Sequence, residues 1–188
     1  MKKKKVNPNK MPLGNQTIDT KNISGQISDR ITLLAWAEVL GALADFPYTT
    51  QEEIWDLWHN TNKAAGVVHR HTDVEIWIEK LESLAGIHLP YAKVSSANIY
   101  TQGDLNRFIR KTERNALSSA YAIIARPLVE RELLPLQDIQ KIFQKAVALN
   151  SEIEEKRISV KDIQEMLEEE LRLQLAITST GVKLAKLE

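Results

Sequence analysis

The residues best equipped for chemistry lie in "VVHRHTDVE", residues 67–75, where His69 and His71 stand two apart beside Asp73 and Glu75. With His59 upstream and His88 downstream, all four histidines of the chain fall within 30 residues. Neutral imidazole and carboxylate suit zinc, nickel or iron, so His59, His69, His71 and Asp73 form one conceivable metal set, and with it a metal-dependent enzyme. An i, i+2 pair in a loop nevertheless lacks the fixed geometry of two histidines at i, i+4 on a helix. The simpler reading is that Thr72 caps a helix with Glu75 in a capping box, and that Asp73 and Glu75 complement the positive end of its dipole. No metal or other cofactor is expected.

A second group is basic. Arg107, Arg110, Lys111 and Arg114 recur at i, i+3, i+4 and i+7, which on a helix fills an arc of about 100° roughly opposite the apolar stripe. Arginine outnumbers lysine there, as suits fork-like pairing with carboxylate or phosphate. Only Asp104 and Glu113 offer acids at helical spacing. The complementary run, Glu165 with Glu168, Glu169 and Glu170, stands ready within the same molecule or in a second copy. A solvated outer face, a nucleic-acid backbone and an acidic protein surface are the three readings of this stripe. Signatures of catalysis are otherwise missing: the seven glycines are scattered, and no phosphate-binding loop or nucleophile elbow can be written from them.

The elements that must carry these residues read as helices. In "SDRITLLAWAEVLGALADFP" Ser28 is the expected N-cap, and Ile31, Leu34, Ala35, Val39 and Ala42 follow at helical spacings up to Pro47. Thr50 and Glu53 form a capping box ahead of Ile54, Trp55 and Trp58, predicting a helix over 51–60. A third helix follows Thr72 and stops at Gly86. The four tryptophans, Trp36, Trp55, Trp58 and Trp77, are confined to these three helices and predict a Trp-rich core. The segment "IHLPYAKVSSANIYT" has the pattern of a short hairpin turning at Ser95 and Ser96. Three helices followed by a hairpin follow the winged-helix order, but a recognition helix bearing Asp73, Glu75, Glu79 and Glu82 against Lys80 would repel phosphate.

Beyond residue 101 the helices lengthen. Thr101 or Asp104 starts one whose inner face holds Leu105, Phe108, Ile109, Thr112, Ala116, Ala120 and Ile123, with a break predicted near Arg126 because Pro127 lacks an N–H and crowds the preceding turn. Another helix is predicted from Gln137 to about Glu155. A last one is capped by Ser159, with the stripe Val160, Ile163, Leu167, Leu171 and Leu175. The expected fold is all-α: a Trp-rich three-helix unit over 26–100, then a bundle of longer helices over 101–178. A flexible basic tail over 1–25 and a short tail over 179–188 complete it.

Charge is blocked along the chain: six lysines face one aspartate in 1–25, five bases face ten acids in 26–100, six face three in 101–131, and eight face eleven in 132–188. The total is neutral and gives no general attraction to polyanions. With no cysteine, thiolate chemistry and disulfide scaffolds are excluded, and a reducing, cytoplasmic setting is expected. The lysine-rich start lacks the apolar stretch of a signal peptide, and no long apolar run predicts a membrane span. These features point to a non-enzymatic accessory or regulatory protein acting by protein–protein interaction, with self-association through the C-terminal helices. Nucleic-acid binding through 104–114 and the lysine tail is the alternative.

Overall fold

The computed structural model describes residues 9, 11–13, 18–46, 50–68, 74–92, 99–130, 132, 134–179 and 181–187. Among them are six helices, α1 (Thr20–Ala44), α2 (Gln51–Val68), α3 (Val74–Ala85), α4 (Gln102–Glu130), α5 (Leu136–Glu154) and α6 (Val160–Leu171), followed by an antiparallel hairpin of β1 (Leu173–Thr178) and β2 (Gly181–Lys186). The mainly helical expectation holds, with the terminal hairpin as its exception. No helix among the described residues is long and apolar enough to cross a membrane.

Helix α1 is the axis of the molecule, packing against α4, α5 and α6. Every residue from Ala35 to Leu43 is buried, so this half of α1 is a central helix rather than the amphipathic one expected. Its start also differs. Asp19, not Ser28, caps it by accepting a 3.0 Å hydrogen bond from the Asn22 N–H, and the helix therefore enters the 1–25 segment read as a tail. Met11–Leu13 is likewise tied down: Gln102 N–H donates to Met11 O at 3.1 Å and Leu13 N–H to Tyr100 O at 3.2 Å. A side chain on Gly103 would collide with Asn9, because a Cβ there would lie 2.7 Å from the Asn9 carbonyl oxygen.

Residues of the two expected units share one core. Leu40, Ile54, Trp58, Trp77, Ile78 and Leu81 belong to the same buried cluster as Tyr121, Phe143, Leu167 and Leu184. Trp36 and Trp58 pack at 4.6 Å between ring centroids, and Trp36, Trp58 and Trp77 are all buried. Trp55 is half-buried, with the Lys186 ammonium 5.5 Å from its ring.

Two local expectations are corrected. Helix α4 does not stop near Arg126 but continues through Pro127 to Glu130. Ile124, Ala125 and Leu128 are buried around the proline, and their packing outweighs one missing backbone hydrogen bond. Helix α6 ends at Leu171 because Arg172 adopts a left-handed conformation, φ 52°. Leu175 consequently sits on a strand, and 179–188 is not a tail but holds β2, with Leu173, Leu175 and Leu184 covering the core. The turn of the expected hairpin, with Ser95 and Ser96, lies outside the described residues, and the flanking residues 87–92 and 99–100 carry no strand.

Candidate functional site

Helix α4 begins with a reciprocal cap: the Asp104 N–H donates to Thr101 Oγ1 at 3.2 Å, and Asp104 Oδ2 accepts from the Thr101 N–H at 2.9 Å. The Thr101 hydrogen bonds, with help from Arg107, hold the Asp104 carboxyl below its ordinary range. From this anchored start, Phe108 is turned into the core while Arg107, Arg110, Lys111 and Arg114 are all exposed. The predicted basic face therefore exists as one surface.

Its two neighbouring acids are already engaged. Asp104 pairs with Arg107 at 2.6 Å, and Glu113 reaches across to Arg30 on α1. No acid among the described residues forms an ion pair with Arg110, Lys111 or Arg114. The α6 acids do not neutralise them from within the chain: Glu165 pairs with Lys161 at 2.8 Å, Glu168 accepts from Gln174 at 3.3 Å, and Glu169 and Glu170 are exposed.

Opposite the cations runs the α3–α4 connection, residues 88–92, and together they enclose an open groove lined by His88, Pro90, Tyr91, Ala92 and Asn115 besides the basic side chains. The connection is held from both helices. Asn115 bridges Ala92, accepting from its N–H at 3.1 Å and donating to its carbonyl at 2.6 Å, and Ser118 donates to Pro90 O at 3.0 Å. From α3, Glu82 contacts His88 Nδ1 at 2.9 Å and accepts from the Leu89 N–H. Leu89 is buried beneath the strip, while Pro90, Tyr91 and Ala92 are exposed along it. A wall hydrogen-bonded to both helices leaves less backbone to be ordered when an acidic group enters the groove.

The histidine cluster is not assembled among the described residues. His69, His71, Asp73 and the capping Thr72 lie outside them. His59 packs edge-on against Trp55 at 5.0 Å, and His88 is an exposed partner of Glu82. No group of three histidine or acidic side chains suited to a metal occurs among the described residues.

One polar pair was not anticipated from sequence. Glu38 on α1 is 0% exposed and accepts a hydrogen bond from the Tyr121 hydroxyl of α4. Burial pushes its carboxyl up to about 8; the Tyr121 hydrogen bond opposes this and the Glu154 charge adds to it. Burial, then the Glu38 charge, raise the Tyr121 phenol as well. The second Glu38 oxygen and the Thr61 hydroxyl, both buried, have no hydrogen-bond partner among the described residues. The available signal was Glu38 itself, the one charged residue between Arg30 and Asp45.

Comparison with protein-family models, with curated proteins and with solved structures finds no match to this chain.

Proposed function

We propose that the protein is a non-catalytic regulatory module of the cytoplasm that works by protein–protein contact and associates with its own copies through the basic face of α4. One observation carries this reading: Arg110, Lys111 and Arg114 line one groove and meet no acid of the described residues, whereas Arg30, Arg107, Arg126, Lys145 and Lys161 each have an acidic partner. The helix fixes the backbone from which these exposed cations reach, and guanidinium pairs with carboxylate in a directional fork. The chain supplies exposed acids of its own, and its neutral total gives no general pull toward polyanions.

A second reading is favoured by the chain's start. Lys2 to Lys5 and Lys10 precede Met11–Leu13, which is pinned beside the first turn of α4, and a phosphate backbone would engage both sets of cations.

Solution mass and retention on a duplex-DNA column distinguish the two in wild type and in Arg107→Glu/Arg110→Glu/Arg114→Glu. The expected result is a wild-type oligomer that dissociates in the triple variant, with neither protein retained at moderate salt. Retention of the wild type that is lost in the variant at unchanged mass would transfer the function to nucleic acid, with a salt slope of about 0.9 per phosphate neutralised.

A further inference from the structure

The strip 88–92, exposed except at Leu89, separates two patches of opposite charge. On its α4 side lie Arg107, Arg110, Lys111 and Arg114; on its α3 side a second groove is lined by Glu75, Glu79 and Glu82 and shares His88, Tyr91 and Ala92 with the first. Glu82 is occupied in holding the strip, but Glu75 and Glu79 are exposed, one helical turn apart, and form no ion pair among the described residues. Pinned to α3 through Glu82 and to α4 through Asn115 and Ser118, the strip stands between the acids and the cations.

We propose that this two-signed face is an isologous interface, in which two copies of the chain pair about a two-fold axis near Tyr91, the α3 acids of each facing the α4 cations of the other. The inference rests on the self-association proposed above and identifies the acids that complete it. Three features favour a second copy. The charges are complementary under a two-fold operation, so one contact is made twice and the assembly closes. Tyr91, 40% exposed at the crest, supplies a rigid amphipathic contact of the kind enriched in interface centres. The alternative acids, Glu168–Glu170 on α6, line neither groove; docking them on α4 would join two different patches head to tail, a contact that propagates unless its rotation closes a ring.

The test uses the full chain and sedimentation equilibrium over a range of concentration, with circular dichroism to follow the fold. Three variants are compared with wild type: Glu75→Lys/Glu79→Lys, Arg110→Glu/Arg114→Glu, and Glu169→Lys/Glu170→Lys. Wild type should dimerise, more weakly as salt rises. Each of the first two variants should dissociate on the order of a hundredfold more readily, because like charges then face each other twice. Mixed in equal amounts, those two should form a heterodimer, since each reversed pair then faces the opposite charge on the other variant, and the α6 variant should dimerise as wild type does. A mixture that stays monomeric, or a dimer that ignores the α3 reversal and yields to the α6 reversal, overturns this interface while leaving self-association through α4 intact. A wild type monomeric at every concentration, or a dimer indifferent to Arg110→Glu/Arg114→Glu, overturns the functional reading as well.

Discussion

The Tyr121 hydroxyl donates a hydrogen bond to the Glu38 carboxyl group inside the core, where the two residues are 1% and 0% exposed. This contact ties the central helix α1 to α4, the helix that carries the basic face, and Phe143 of α5 packs edge-on against the same tyrosine at 5.9 Å. Burial raises both groups and so favours the protonated, neutral form of the pair.

A pH-dependent stability follows. With Glu38 raised from 4.5 to about 8, the folded protein keeps its proton over a window in which the unfolded chain has lost it. The stabilisation is complete below pH 4.5 and is lost as pH rises towards 8, at about 1.4 kcal/mol per pH unit for one proton. Glu38→Gln should remove this slope and be the more stable protein above pH 8. Urea unfolding from pH 5 to 9 measures both; equal slopes in the two proteins would assign the pH dependence to other groups.

Tyr121→Phe deletes the hydroxyl and leaves both Glu38 oxygens without a side-chain donor. We expect a loss of about 1–3 kcal/mol at neutral pH. Because the Tyr121 hydrogen bond holds the Glu38 value down, the variant should also move the upper end of the pH window higher. A stability loss with no movement of the window would argue that the hydroxyl only fills space.

Gly41 of α1 faces α5 and α6 at close range: a Cβ there would lie 3.1 Å from Ile163 Cγ2 and 3.5 Å from Leu149 Cδ1. Gly41→Ala should come out near neutral, since its helix-propensity gain of about 1 kcal/mol offsets the crowding. Gly41→Val, larger and β-branched, should destabilise by about 2–3 kcal/mol in thermal unfolding. A stable valine variant would mean that α6 moves away from α1 at little cost.

The terminal hairpin is part of the core. Leu184 on β2 is 4% exposed and pairs in register with Leu175 on β1, itself 1% exposed. Leu184→Ala should cost about 2–4 kcal/mol. Denaturant titration that found it neutral would reduce the hairpin to an attached flap.

The helices and the basic face were legible in the chain because their signals are local. The Thr50–Glu53 and Ser159–Asp162 boxes close within three residues, Gly86 takes its left-handed stop at φ 64°, and the spacing Arg107, Arg110, Lys111, Arg114 defines one side of any helix that contains it. What neighbours decide could not be read the same way. Pro127 stays inside α4 because buried residues on either side hold that turn, and Leu175 leaves the α6 stripe because Arg172 turns the chain so that the strand covers α1 and α6. The burial of Glu38 depends on α4 and α5 closing over a helix that elsewhere looks like a surface one, and Glu75 and Glu79 share a face with Arg110 and Arg114 because the 88–92 strip folds between α3 and α4. Periodicity along a chain specifies which side of a helix is apolar or charged. Which sides meet is a choice among long-range packings, made by the burial they achieve together.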